Sequence, residues 1–256
     1  DMDVKNPHNN FVEYIFSQPE EAISLLENYL PAAIAKLTDF ASLKIIKDSF
    51  VDPDLKEYRS DLIFKLNIDG KAGYFYLIFD HKSGNDHKIH LQLTKYVIEL
   101  LYKEGHLTSN WTNFAPIITM VLYNGQDNWT VPLRFRDKID TDNEDILSYV
   151  IDFEYILLDL SNYTDEELKG SIVTQIALLL LKHIFDTKAD LKKLLYKVKD
   201  LLYLIKENDN VLDLLRSVLV YIFSASDPPP QEVKKIVEES VGSKGKEVFM
   251  TVKERW

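Results

Sequence analysis

Two aspartates and a lysine are spaced as a hard-cation site at the ends of paired strands would space them. Asp61 opens the run Ser60–Ile68, mostly apolar and β-leaning. Asp80 closes the aromatic, nearly continuous apolar run Gly73–Phe79. Asp69-Gly70 between the runs is the strongest short hairpin signal. In an antiparallel pair the start of one strand lies beside the end of its partner, so both carboxylates fall at one end of the sheet. A small inequality in strand length is then taken up by twist or a bulge. Lys82 follows Asp80 by two positions and shares its face if the strand continues. Two acids converging on one point suit Mg²⁺ or Mn²⁺, with the backbone carbonyl of His81 as a natural third ligand. The Lys82 ammonium would orient or help deprotonate an attacking water, or neutralise charge on a phosphate in transit. Cation and lysine together remove the repulsion between the acids. Gln92 and Tyr96, four apart, stack on one helical face and could meet a phosphate or hold a water.

The elements that position these residues follow from pattern. Phe11–Phe16 and Ala22–Leu30 are amphipathic helices, and Ala32–Leu37 a short one. The hairpin comes next, its second strand read as central and buried on both faces. A helix of about five turns begins at Asp86 or His87 and is closed by Gly105, with Ile89, Leu93, Val97, Leu100 and Leu101 as its apolar stripe. His87 and His90 on it read as exposed. Phe114–Tyr123 and Phe153–Leu160 are further strand-like runs. From Thr164 to Ser224 the texture is helical, a short helix spans Gln231–Val241, and Gly242–Gly245 reads as a loop. This order predicts an α/β fold with a mixed β-sheet flanked by helices and a helical C-terminal region. The expected division is residues 1–160 for the core and 161–256 for the helices.

Composition narrows the chemistry. With 256 residues, 46% apolar, a sizeable core forms. The chain has no cysteine, which excludes disulfides, Cys-ligated zinc, iron–sulfur clusters and a thiol nucleophile, and fits a reducing, cytoplasmic setting. No apolar run approaches a membrane span, and Asp1–Asn10 shows no signal-peptide core. The net charge of −11 opposes non-specific nucleic-acid binding, so a polyanion would have to be met through a local patch or a metal ion. Lys188, Lys192, Lys193, Lys197 and Lys199 are interleaved with Asp190 and Asp200 and read as a solvated helical face.

Asp61, Asp80-x-Lys82 and Gln92-x-x-x-Tyr96 resemble the PD-(D/E)XK nuclease superfamily, in its RecB-like branch with a trailing QxxxY helix. Pro7–Phe11, Leu26–Pro31, Ser49–Asp52, Arg59–Phe64, Asp80–Ser83 and Val121–Gly125 run in the order seen in the Rpn family of recombination-promoting nucleases and transposases. The resemblance covers roughly residues 7–160. It implies a restriction-endonuclease-like core and a Mg²⁺- or Mn²⁺-dependent DNA endonuclease linked to recombination or mobile DNA. Catalysis would rest on Asp61, Asp80 and Lys82, metal binding on Asp61, Asp80 and the His81 carbonyl, and substrate contact on Gln92 and Tyr96. DNA is the implied partner, and a homodimer is expected because double-strand cutting from single-site folds generally needs two copies. Some members of the superfamily add a carboxylate from the first helices, here Glu27, and His8 is a further candidate. The plainer readings are a solvated Glu27 and a structural His8. Two departures stand out: Asp80 where the family usually has Glu, and Asn9 where many relatives have Asp. With the acidic charge they motivate a second reading, a weak or inactive nuclease-fold module that binds DNA or protein without cutting.

Overall fold

The computed structural model describes residues 6–46, 60–80, 85–109, 111–125 and 127–254, with main chain only at 60, 61, 188 and 189. Helices α1 (Pro7–Phe16), α2 (Pro19–Tyr29) and the single turn α3 (Ala32–Ala35) precede the strands. Then come β1 (Thr38–Ile46), β2 (Ser60–Ile68), β3 (Lys71–Asp80), α4 (Ile89–Thr108), β4 (Ile117–Tyr123), the single turn α5 (Glu144–Leu147) and β5 (Ile156–Asp159). Helices α6 (Ile172–His183), α7 (Lys188–Leu204), α8 (Val211–Ala225) and α9 (Pro230–Lys253) follow. The elements form two compact units, one of residues 29–162 and one combining 1–28 with 163–256.

The 29–162 unit is a mixed α/β structure around one sheet in the order β1-β2-β3-β4-β5. β1, β2 and β3 are antiparallel neighbours, while β3, β4 and β5 run parallel. The hairpin forms because Asp69 (φ 51°) and Gly70 (φ 72°) both take the left-handed region, as a two-residue turn of the right twist requires. The β2–β3 register is unbroken from Ser60↔Phe79 to Ile68↔Lys71. β3 is central and buried from Gly73 to Asp80, which is why its residues do not alternate in polarity. Tyr74, Tyr76 and Ile78 pack with Ile89, Leu93, Tyr96 and Leu100 of α4, and with Val121 of β4. Phe75, Leu77 and Phe79, of the opposite parity, are buried as well.

Three elements differ from the sequence reading. β1 gave no period-2 signal because its register shifts between Asp39 and Lys44. There the Asn67 N–H is satisfied by Ser42 Oγ at 2.7 Å rather than by a strand carbonyl. α4 does not stop at Gly105. A glycine is needed there because the Trp111 indole lies over it: a Cβ would sit 2.7 Å from the ring. The helix continues to Thr108 and ends where Ser109 takes φ 53°. α9 is two helical stretches that meet at Gly242, whose φ of 73° is not helical: the expected end at Val241 is found, but the chain turns helical again at once and buries Val248, Phe249 and Val252 where a loop over Gly242–Gly245 was expected.

In the other unit α1 packs on α6 and α8, so the N-terminal helices group with the C-terminal ones. Phe11, Val12, Ile15 and Phe16 of α1 are buried, and Phe11 stacks on Tyr221 of α8 with centroids 4.3 Å apart. Asp165 receives Lys182 Nζ at 2.8 Å, His183 Nε2 at 2.6 Å and Lys197 Nζ at 2.6 Å. Burial alone would push this carboxyl up; the hydrogen bonds from Lys182, Lys197 and His183 outweigh it and hold Asp165 well below the usual carboxylate range. Four lysines of α7 are engaged too: Lys192 with Glu232, Lys193 with Asp190, Lys197 with Asp165 and Lys199 with Glu239. Among the described residues no helix is long and apolar enough to cross a membrane.

Candidate active site

Asp80 ends the central strand, 1% exposed. Parity along β3 puts it on the face of Tyr76 and Ile78, the face covered by α4. Position 61 of β2 pairs with Ile78 and so belongs to the same face, one diagonal step from Asp80. The strand-length inequality is therefore not absorbed by a bulge; it survives as this diagonal offset. His81 and Lys82 lie outside the described residues, as does the side chain of Asp61.

The helix that covers this face carries Gln92 and Tyr96. Tyr96 is 2% exposed, its ring 5.1 Å from that of Tyr76, so most of the residue is core. Gln92 is half-buried, and its Oε1 is buried with no hydrogen-bond partner among the described residues. Asp86 Oδ1 accepts the Lys88 N–H at 2.8 Å and turns the chain into α4. His90, read from the sequence as exposed, is not. It is buried with Phe135, Phe153 and Tyr155 around its ring. Burial, with Lys138 nearby, lowers its pKa.

Two residues that the sequence reading passed over extend the row. Asp80 pairs with Tyr123 at the end of β4, and Tyr123 pairs with Asp159 at the end of β5. The Tyr123 hydroxyl donates to the Asp127 carbonyl at 2.9 Å. Burial first, then the negative charges of Asp159, Asp80 and Asp127, push its pKa up to about 12. Asp159 is buried, and its Oδ1 accepts from the Ser161 N–H at 2.9 Å and the Ser161 hydroxyl at 2.7 Å. The available signal was repetition: like Asp80, Asp159 is an acid closing a buried apolar run.

The two remaining candidates belong to the other unit. His8 Nδ1 is 2.9 Å from the Tyr221 hydroxyl, and its ring lies against Phe185. Glu27 is a solvent-exposed residue of α2. Neither is placed with Asp80 inside the 29–162 unit.

The donor set suits a hard divalent cation. Asp80 is a nearly fully buried carboxylate, a costly state unless cationic charge stands near, and position 61 supplies a second acid one diagonal away. Among the fully described side chains no group of three metal-ligating acids or histidines exists, so a site here would depend on Asp61 and on residues 81–84.

The fold is mixed α/β, and its buried strand-end acid lies at the carboxyl end of parallel strands, on the face covered by one long helix. The family described as "Putative transposase, YhgA-like" matches residues 6–213, and the chain belongs to it. It is 29% identical over 119 residues to the Recombination-promoting nuclease RpnA of Escherichia coli (strain K12), covering 46% of this chain and 40% of RpnA. It is 23% identical over 179 residues to the Recombination-promoting nuclease RpnC of the same strain, covering 70% of this chain and 58% of RpnC. The match to the Inactive recombination-promoting nuclease-like protein RpnE, also from that strain, is 23% over 253 residues and covers 98% of this chain and 81% of RpnE. The chain thus spans less than two thirds of the length of RpnA and RpnC. No solved structure matches significantly.

Proposed function

We propose that this chain is a metal-dependent DNA endonuclease that hydrolyses phosphodiester bonds. The observation that carries the reading is the unbroken β2–β3 register, which sets position 61 one diagonal from Asp80 on the face covered by α4. The nuclease names of RpnA and RpnC support the class of reaction. Asp61 and Asp80, with the His81 carbonyl, would hold Mg²⁺ or Mn²⁺, which when bound supplies Lewis-acid stabilisation and a water of lowered pKa. Lys82 would orient that water, take its proton or offset charge building on the phosphate. Gln92 would offer its amide to a backbone phosphate, and the Tyr96 hydroxyl would steady the substrate from behind it. Tyr123 and the hydrogen-bonded Asp159 keep the strand ends fixed beneath the site.

The test is incubation of the wild-type chain, Asp61→Ala and Lys82→Ala with supercoiled plasmid in Mg²⁺, Mn²⁺, Ca²⁺ and EDTA. Nicking or linearisation by wild type alone, in Mg²⁺ or Mn²⁺, is expected. Cleavage retained by Asp61→Ala would overturn the assignment.

One observation favours a second reading. The relative matched along 98% of this chain is named inactive. A module that binds without cutting would leave plasmid intact under every condition. It would also show no Asp61-dependent rise in Tm on adding Mn²⁺, where a bound metal raises it by mass action.

A further inference from the structure

The side of α4 turned away from the sheet is apolar and solvent-exposed. Leu91 is 64% exposed, Ile98 46% and Tyr102 60%. With Lys95 they recur at spacings of four, three and four, the seam of a helix that packs against another helix. The apolar surface continues past the helix end: Trp111 lies edge-on to Tyr102 at 5.9 Å and to Phe114 at 6.3 Å. Contiguous exposed apolar surface of this kind marks a contact site rather than ordinary scatter.

The charges on the seam choose the occupant. Lys95 and Glu99 are 3.9 Å apart and both solvent-accessible. Lys preceding Glu by four is the less favourable order for support within one helix. Between two antiparallel copies of α4, however, each lysine meets the other copy's glutamate about an axis level with Val97. Parallel copies would oppose Lys95 to Lys95 and Glu99 to Glu99. The seam carries no excess of positive charge, which a nucleic-acid surface would need.

We propose that α4 pairs antiparallel with α4 of a second copy of this chain. Leu91 and Tyr102 of each copy pack beside one another, Ile98 sits near the two-fold axis, and Lys95 of each copy faces Glu99 of the other. A polar pair inside an apolar seam fixes register and orientation, which leucine alone would leave open.

The absence of native cysteine allows a direct test on the full chain. Ile98→Cys is expected to form an intermolecular disulfide under mild oxidation. Leu91→Cys is expected not to, because twelve residues of helix separate the two sulfur-bearing positions by about 18 Å, well beyond the roughly 7 Å Cα limit of a disulfide. Efficient cross-linking at Leu91, or none at Ile98, overturns the antiparallel arrangement. Sedimentation at about 10 µM, where a micromolar Kd leaves most chains paired, is expected to show a dimer. Lys95→Glu should weaken it at least about tenfold, a coupling of roughly 1.4 kcal/mol, and Lys95→Glu with Glu99→Lys should restore it. A wild-type monomer, or failure of the double variant to recover, overturns the proposal. These readouts measure association alone and are independent of whether plasmid is cut.

Discussion

Position 61 stands directly opposite Ile78, not Asp80, so the two candidate acids meet on a diagonal of the β2–β3 ladder. Diagonal neighbours lie about 7–8 Å apart at their α-carbons. That span is one two aspartate side chains could close around a single cation.

On the proposed function Asp80 is a metal ligand, and its substitution separates binding from folding. Asp80→Asn removes the charge while keeping the shape, so the metal-free variant is expected to stay folded with a cooperative transition. The Mn²⁺-induced rise in Tm should vanish, and cleavage should fall by at least about 10²-fold, the scale of losing one group that stabilises developing charge. Differential scanning fluorimetry with and without Mn²⁺ checks the first two points.

Tyr96 separates structural from chemical roles. Its ring packs on Tyr76, so Tyr96→Ala should cost about 3–5 kcal/mol in urea unfolding. Tyr96→Phe keeps the ring, and its stability should lie within about 1 kcal/mol of wild type. If the hydroxyl serves the substrate, Tyr96→Phe nonetheless loses cleavage. Full activity in that variant would confine Tyr96 to packing.

Gly105→Ala pits two effects against each other. Helix propensity favours alanine by about 1 kcal/mol. The new methyl meets the Trp111 ring at 2.7 Å, and such overpacking costs about 1–3 kcal/mol. Because Trp111 is half-exposed and can tilt, the expected net is a modest fall in Tm with a change in tryptophan fluorescence.

Asp165 sets an acid limit for the helical unit. Its pKa in the folded chain is depressed, so its contribution is present above the unfolded value near pH 4 and is lost as pH falls through the lower folded value. Asp165→Asn should lower stability at neutral pH by about 1–3 kcal/mol, the range for hydrogen bonds to a charged group that is partly solvated. The variant's stability should also fall less steeply than wild type between pH 4 and more acidic conditions. Helical circular dichroism against pH reads both.

The hairpin, its central second strand and the helix over it were legible because each has a local signature. Asp69-Gly70 announces the turn, an unbroken aromatic run announces burial on both faces, and the 3.6-residue stripe announces α4. β1 was not legible, since a register shift erases alternation and the compensating bond from Asn67 to Ser42 spans the strands. The glycine stop held at Gly242, whose backbone leaves the helix, and failed at Gly105, because what that glycine accommodates is Trp111, six residues further on. At the site, counting from the turn put the two acids at one end of the sheet, but their shared face and diagonal offset came only from the register, and Asp159 shows itself only where Ser161 turns back onto its carboxylate. The histidines were least legible: His90 and His8 are identical in type, and only tertiary neighbours reveal one enclosed by aromatic rings and the other bound to Tyr221.

The helical unit is assembled from both ends of the chain, with residues 29–162 inserted between them. During synthesis Phe11, Val12, Ile15 and Phe16 therefore emerge long before α6 and α8, on which their helix packs. At about 5–20 residues per second, that face waits on the order of ten seconds or more for its counterpart. The inserted sheet has all its strands by residue 159 and can fold meanwhile. A gene truncated just after the sheet would consequently yield a sheet unit tethered to an orphaned sticky helix, a natural client for chaperones.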